Sequence, residues 1–300
     1  MKTKFYITFI TFILLVMTLL FYTCNDNLIE PSNNSEKTKH GHEPSWSPDG
    51  NRIAYIGGAT DKEYGLYDID VAANEDPRKI VVPEFASNPD WSPDGKWIVY
   101  PRNGDICKKK ADDDSPEIQL TSNAENFFPS WSKDGQWIAF DSNADSPTGL
   151  RFVWKMRADG SDKNRIIYSP EEGEVRTPDW FPDGIRLVVA RNLRGPREIV
   201  IIDTSGNSIA RLTNDGISDK CPKVSMDGLS IVFEKEVNLG QIFRINADGT
   251  ELIRISDSNS TDPDWSPNGE WITFSSYSSN NYSPNYIFII DRNGFSKRRL

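Results

Sequence analysis

Carboxylates are the residues through which this sequence could do acid–base chemistry, because histidine is almost absent from it. The 300 residues contain 44 Asp and Glu but only two histidines, His40 and His42. Without a later histidine, a Ser-His-Asp triad and a histidine-based metal centre are excluded from the rest of the chain. A carboxylate pair acting as general acid and base would still be available. The i, i+2 spacing of His40 and His42 brings no third ligand, so we expect two solvated side chains.

Most of the regularly spaced aspartates have a structural explanation. They occur once in each of five similar turn sequences, at Asp49, Asp94, Asp134, Asp183 and Asp227. In Ser-Pro-Asp-Gly, proline sets φ at the second position and glycine closes the turn, so we predict that these carboxylates cap turns.

The remaining candidates for metal or redox chemistry are few. The run 112–114, Asp-Asp-Asp, falls where other copies of the sequence pattern have Ala-Asp-Gly, and we predict a solvated hairpin tip rather than a calcium site. Cys107 and Cys221 lie far apart in the pattern, so we expect two free thiols. We predict no metal ligands and no cofactor, with calcium as a weak alternative.

Six copies of one unit must position these residues. Each copy contains proline two residues before a Trp position and glycine four residues after it. Those Trp positions lie 40 to 49 residues apart, with Val224 replacing Trp in the fifth copy. We place the copies near 43–87, 88–127, 128–176, 177–220, 221–261 and 262–300.

Each copy predicts four β-strands. A strand that is apolar on both faces follows the turn, as in Ile53 to Tyr55 and Ile272 to Phe274, which indicates burial above and below. A further strand enters an Asp/Asn-Gly hairpin, and a fourth ends the copy. Four strands in each unit of this length are typical of a propeller blade. We therefore predict an all-β fold, a six-bladed β-propeller of four-stranded antiparallel blades, with no strand exchanged across the seam.

One face of that ring is the candidate recognition surface. In a closed ring, blades six and one are neighbours, which brings Asp262 beside Glu43 in an acidic, cation-attracting seam. The predicted binding residues are those at the channel mouth and in adjacent loops: Glu43, Asn126, Phe127, Phe128, Glu174, Arg176, Asp219, Lys220 and Asp262. No catalytic residue is predicted among them.

The first 42 residues read as an export segment and a tether. Lys2 and Lys4 precede an uncharged stretch, 5–23, which Cys24 follows directly. We interpret residues 1–23 as a lipoprotein-type signal and Cys24 as the lipidated residue, although Thr23 is larger than the residue usual before that cysteine. An uncleaved membrane anchor is the alternative. Residues 24–42 are the anchor cysteine and a polar, flexible tether.

Charge restricts the partners. The formal net charge of −10, without a basic block, excludes nucleic acid as a ligand. We expect a monomer.

The repeats, such as Pro89-Asp90-Trp91-Ser92-Pro93-Asp94-Gly95, resemble the WD40-like, PD-type repeat of the TolB family over residues 43–300. That resemblance implies an envelope protein. TolB-like proteins carry a separate α/β domain before the propeller, whereas the tether stands there in this chain. The match is thus closer to a stand-alone TolB-like lipoprotein, exported to the periplasm or surface of a bacterial outer membrane.

Two classes of function remain at this point. The favoured one is a non-catalytic module, tethered to the envelope, that binds a protein or a cell-wall or glycan partner. The alternative is a carbohydrate-active enzyme that uses carboxylates, either a glycoside hydrolase or a lyase. Because propellers host many unrelated functions, the fold by itself does not choose between them.

Overall fold

The computed structural model describes residues 41–58, 64–72, 76–81, 86–166, 173–192, 195–277 and 285–300. The predicted signal, Cys24 and His40 lie outside these residues. Within them the fold is all-β, and the 24 strands form six separate four-stranded antiparallel sheets. The predicted six-bladed propeller is confirmed. None of the described segments forms a helix with the length and apolarity needed to cross a bilayer.

Each blade is built from four consecutive strands, so no strand is exchanged across the seam. The strands of blades one to three are β1 Gly41–Trp46, β2 Arg52–Gly57, β3 Gly65–Asp70, β4 Arg78–Val81, β5 Asp90–Trp91, β6 Trp97–Arg102, β7 Asp105–Lys110, β8 Ile118–Gln119, β9 Asn126–Trp131, β10 Trp137–Ser142, β11 Phe152–Arg157 and β12 Asn164–Arg165. Those of blades four to six are β13 Val175–Trp180, β14 Arg186–Asn192, β15 Arg197–Asp203, β16 Ser208–Arg211, β17 Asp219–Val224, β18 Ser230–Lys235, β19 Gln241–Asn246, β20 Ile253–Arg254, β21 Ser260–Trp265, β22 Trp271–Tyr277, β23 Asn285–Asp291 and β24 Lys297–Arg299.

The turn between the first two strands of a blade is held by its own serine and aspartate. In blade one, Ser47 Oγ donates to Asp49 Oδ1 at 2.5 Å and accepts the Arg52 N–H at 2.9 Å. The same serine–carboxylate contact recurs at Asp94, Asp134 and Asp227. Blade four has Phe181 in place of the serine, and there Asp183 accepts the backbone N–H groups of the two residues after the turn. The predicted capping role of these aspartates is confirmed.

The apolar core lies between blades. Each second strand is buried on both faces, and six separate clusters of buried side chains each join two neighbouring blades. The tryptophans of the repeat are part of this packing, since Trp46, Trp91, Trp131, Trp180 and Trp265 are all buried. They are blade-packing residues, as predicted, and do not form an exposed stacking platform.

The ring closes between blades six and one through the same kind of contact. Trp46, Ile53 and Tyr55 of blade one pack against Ile287 and Ile289 of blade six. The Trp46 N–H donates to Asp264 Oδ2 at 2.8 Å across this seam. Side-chain packing and hydrogen bonds thus replace the exchanged strand that closes some propellers.

The inner strands differ from the prediction in where they begin. Strands β1, β9, β13, β17 and β21 each begin two residues before the predicted copy boundary, so Gly41 and His42 lie in β1 and not in the tether. The cause is a β-bulge. In blade three, Phe128 and Pro129 together lie opposite the single residue Phe140, and the strand continues on the other side of the bulge to Asn126.

Two smaller predictions have different outcomes. Cys107 and Cys221 are free thiols, as expected. Asp112 is exposed, but it is not only a solvated tip. Its carboxylate contacts Arg52 at 2.6 Å and Arg78 at 3.3 Å, both on blade one, so the hairpin of blade two is tied to its neighbour.

Candidate functional site

Six bulge residues, one from each blade, form a ring around the central channel. We call Glu43, Asn88, Phe128, Thr177, Cys221 and Asp262 the bulge ring. All six have left-handed φ angles between 40° and 54°, although none is glycine and each precedes a proline. Such backbone is uncommon for residues with a Cβ, and a residue before proline is normally extended. The same strained conformation is therefore kept six times.

The bulge ring and its prolines line one central cavity. The cavity is open to solvent. Its wall carries the carboxylates of Glu43 and Asp262, the phenyl ring of Phe128 and six prolines, and Lys223 also lines it. The ring prolines thus lie at the free edge of the innermost strands, where the missing N–H costs no ladder hydrogen bond.

Three predicted binding residues, Glu43, Phe128 and Asp262, line this cavity. Two others are enclosed. Asn126 is buried and its amide donates to the carbonyls of Gly104 and Ala124. Asp219 is also buried, at 2.8 Å from Lys235 Nζ. Both side chains hold the blade together and are not part of the accessible face.

The other four predicted residues already have partners near the rim. Glu174 pairs with Arg197 at 3.1 Å, and Lys220 pairs with Glu236. The Arg151 guanidinium stacks on the Phe127 ring, with its carbon 4.1 Å from the ring centroid. Arg176 Nε lies 3.4 Å from Asp141 Oδ2. These pairs leave the rim largely neutral around the acidic side of the cavity.

The carboxylates of Glu43 and Asp262, at the seam between blades six and one, contact different neighbours. Glu43 Oε2 accepts the backbone N–H of Asn88 in blade two at 2.6 Å. Asp262 instead accepts the Thr261 hydroxyl at 2.9 Å and lies 3.7 Å from Cys221 Sγ in blade five. Burial raises the pKa of Asp262, and the charge of Glu43 raises it further. The contacts of the predicted acidic seam thus extend over four blades, five, six, one and two.

Glu234 belongs to this acidic group and was missed from the sequence. It lies on β18, is 8% exposed, and its pKa is raised by burial and by the charge of Asp262. Together with Cys221 and Asp262 it forms a cluster of potential metal ligands whose donor atoms lie within 4.8 Å of one another. The bulge at Asp262 brings blade six toward the second strand of blade five. It is the only feature that could have indicated the place of Glu234 in this group.

His42 is also part of the site, contrary to the prediction of a solvated tether side chain. It lies in β1, half-buried, with Nδ1 3.6 Å from Glu43 Oε2 and Nε2 against the Tyr64 hydroxyl. Burial disfavours the charged ring, but the hydrogen bond and charge of Glu43, with the charge of Asp262, outweigh it and raise the pKa of His42.

A second ring lies two residues further along each inner strand. We call Ser45, Asp90, Ser130, Asp179, Lys223 and Asp264 the inner ring. Aspartates occupy blades two, four and six, and each accepts the N–H of the Trp-position residue of the next blade at 2.7–2.8 Å. The sequence shows this alternation, since Asp precedes the Trp position in every second copy.

Lys223 supplies the positive charge of the inner ring. Its Nζ lies 3.5 Å from Asp179 in the neighbouring blade and 3.9 Å from Asp90, in the blade opposite, so the side chain reaches across the channel. Burial opposes the charge, but Asp179, Asp90 and Asp264 raise the pKa of Lys223. The pKa of Asp264 is raised to about 6, mainly by burial. Lys223 and these aspartates thus form an ion network across the channel.

Comparison with known proteins agrees with this architecture. Residues 169–299 match the family model of the TolB beta propeller domain. TolB from Acinetobacter baumannii superposes with a TM-score of 0.70 at 22% identity, over 82% of this chain and 62% of that one. The propeller is TolB-like. The match spans less than two thirds of the Acinetobacter protein, so likeness to it concerns the propeller.

Two further structures show how widely this fold is used. A protein assigned as TolB in Agrobacterium tumefaciens aligns at 20% identity with a TM-score of 0.67, over 84% of this chain and 90% of that one. Oligogalacturonate lyase from Vibrio parahaemolyticus aligns at 11% identity with a TM-score of 0.60, over 89% of this chain and 80% of that one. At these identities the structural likeness shows the fold alone, and function has to be argued from the site.

Proposed function

We propose that the TolB-like propeller is a non-catalytic binding module of the cell envelope that receives a protein segment in its central cavity. The observation that carries this proposal is the bulge ring. One residue from every blade, each in a left-handed conformation before a proline, lines a single cavity open to solvent. Backbone strain of this kind persists only where the surrounding structure enforces it, and it clusters at functional sites.

The chemistry of the cavity favours a segment with a basic side chain. Glu43 and Asp262 place negative charge on one side, and Phe128 with the ring prolines supplies apolar wall. A lysine or arginine fits both, because its aliphatic stem packs on apolar surface while its charged group reaches the carboxylates. A glycan fits less well, since Phe128 is the one aromatic ring in the described lining.

The location follows from the N-terminal sequence. We propose that residues 1–23 direct export, that Cys24 is lipidated, and that the tether holds the propeller at the outer membrane. A tethered module needs no high affinity, because attachment to the membrane keeps its concentration near envelope partners high.

The test is a crosslinking pull-down from membranes, using the full chain and variants that avoid the cluster around Cys221. We expect Glu43→Gln and Phe128→Ala each to reduce capture of a specific protein at least severalfold. Glu270→Gln is the matched control, because Glu270 is a carboxylate in the turn beyond the opposite end of an inner strand. Equal capture by all four proteins would contradict the proposal.

A polysaccharide binding and degradation screen should be run on the same proteins and on Asp262→Asn. We expect neither retention on glycans nor release of soluble sugars. Glycan retention that depends on Phe128 would replace the protein partner with a carbohydrate. Sugar release that is lost in Asp262→Asn would support the carboxylate enzyme instead, since such enzymes need a pair of carboxyl groups.

A further inference from the structure

Three potential metal ligands meet where blade five adjoins blade six. Cys221 is the bulge residue of blade five, Glu234 lies on the second strand of the same blade, and Asp262 is the bulge residue of blade six. One donor atom from each lies within 4.8 Å of the other two, and Cys221 Sγ lies 3.7 Å from Asp262 Oδ1. Two ligands of a tetrahedral zinc ion, bound at about 2.0–2.3 Å, are separated by roughly 3.3–3.8 Å.

The donor set selects the class of metal. A thiolate is a ligand for zinc and other borderline or soft divalent ions, whereas calcium and magnesium take oxygen ligands. One sulfur with two carboxylates is thus a donor set for zinc and not for calcium. The thiol lies beside both carboxyl groups, so one ion can contact all three side chains.

Carboxyl groups gather in this partly enclosed cluster. Glu234 is 8% exposed and Asp262 is half-buried, and Glu43 adds a third negative group from blade one. The neighbouring ammonium group, that of Lys220, forms an ion pair with Glu236 at the surface. In the inner ring Lys223 contacts two carboxylates directly. The described residues place no comparable ammonium group in contact with Glu234 and Asp262.

An entry path is also present, because Cys221 and Asp262 line the central cavity, which is open to solvent. A metal ion can therefore reach the cluster without unfolding of the blade. Three protein ligands leave a further coordination position, which water or a group of a bound partner can occupy, as in open zinc sites.

We propose that Cys221, Glu234 and Asp262 bind one zinc ion at the junction of blades five and six. Binding replaces the S–H bond of Cys221 with a metal–sulfur bond and releases the thiol proton to solvent, together with any proton held by the carboxylates. This proposal is independent of the protein partner, because the ion is bound by residues of this chain alone.

The experiment uses the full chain with Cys24→Ser and Cys107→Ser, so that Cys221 is the sole thiol. After chelator treatment, the protein is titrated with Zn²⁺ in competition with a chromophoric chelator, and with Co²⁺ as a spectroscopic probe. We expect one equivalent of each ion and a near-ultraviolet thiolate-to-cobalt charge-transfer band. Adding Cys221→Ser should abolish the band and weaken Zn²⁺ binding more than tenfold, since even residues that only support ligands cost 10–100-fold.

Glu234→Gln and Asp262→Asn in the same background should each weaken Zn²⁺ binding by a similar factor while the charge-transfer band persists at high Co²⁺. Glu43→Gln, which removes a nearby charge but no ligand, should cost less than any of the three. Circular dichroism in the presence of chelator shows whether each variant is folded. A variant that is not folded is replaced by Cys221→Ala or Glu234→Met.

Several results would overturn the proposal. Stoichiometric Zn²⁺ binding that survives Cys221→Ser would place the site elsewhere, for instance at His40 and His42. No saturable binding would exclude a metal site, and Ca²⁺ binding that needs Asp262 but not Cys221 would show an oxygen-ligand site. Loss of protein capture in Glu43→Gln with Zn²⁺ binding nearly intact is instead the result that both proposals predict.

Discussion

The bulge ring and the inner ring lie on the same six strands, two residues apart, yet their charges are compensated in opposite ways. In the inner ring, Lys223 bridges two blades and each aspartate accepts a backbone N–H of the next blade. In the bulge ring, two carboxylates face a cavity that is open to solvent. In the first ring a lysine that spans the channel contacts two of the three aspartates, whereas the second ring leaves acidic groups available to an external cation or a basic partner.

The largest effect is expected from a substitution that breaks the inner ring. Lys223→Met should destabilise the fold by about 3–5 kcal/mol, because it leaves buried aspartates without their cation. The free energy of unfolding from urea denaturation measures this effect. A loss below about 1 kcal/mol would mean that the aspartates are held by the backbone N–H groups alone, without a contribution from Lys223.

The next effect depends on pH and concerns Asp141, a buried carboxylate that accepts the N–H of Thr177 in the bulge ring. Burial raises its pKa to about 6 from 3.8, despite Arg176 and Arg151. The folded state therefore binds a proton more tightly than the unfolded state does, and the resulting stabilisation is lost as pH rises through about 6.

Relative to Asp141→Asn, the wild-type protein should thus gain about 2 kcal/mol of unfolding free energy between pH 7 and pH 4.5. Urea denaturation of both proteins across that range is the measurement. A difference between the two proteins that stays constant with pH would show that Asp141 keeps an ordinary pKa.

A smaller effect tests the strain of the bulge ring. Thr177 has a φ of 50° and a buried hydroxyl for which the described residues provide no partner. Thr177→Gly should raise stability by about 0.5–1 kcal/mol, since relief of the left-handed conformation exceeds the entropic cost of glycine. Thr273→Gly, a buried threonine in the regular strand β22, should be destabilising. Thermal unfolding compares them, and a loss in both would remove the case for strain.

The smallest effect lies at the rim of the bulge ring. Lys220→Met removes a partly exposed pair with Glu236 and should cost less than about 1 kcal/mol. The comparison with Lys223→Met, three residues away on the same strand, is the sharpest measure of how the two rings differ. A cost equal to that of Lys223→Met would show that the rim is also stabilised by its ion pairs.

The sequence by itself determined the architecture. Six copies of a pattern of proline and glycine, five of them with tryptophan between, are each followed by a strand apolar on both faces. They predicted six four-stranded blades, because a doubly buried strand must be covered by neighbouring blades. The turn aspartates were also predictable, because Ser47 and Asp49 form a local structure that needs only neighbouring residues. The adjacency of blades six and one followed from closure.

Only the tertiary structure decided the site. The bulge places two residues opposite one, which shifts Asp262 toward the second strand of blade five and beside Cys221. Glu234 joins this cluster from 28 residues earlier in the chain, and His42 folds into β1 beside Glu43. These contacts depend on the angle between blades and on a backbone conformation that non-glycine residues rarely adopt. The spacing of the residues in the sequence therefore does not predict them.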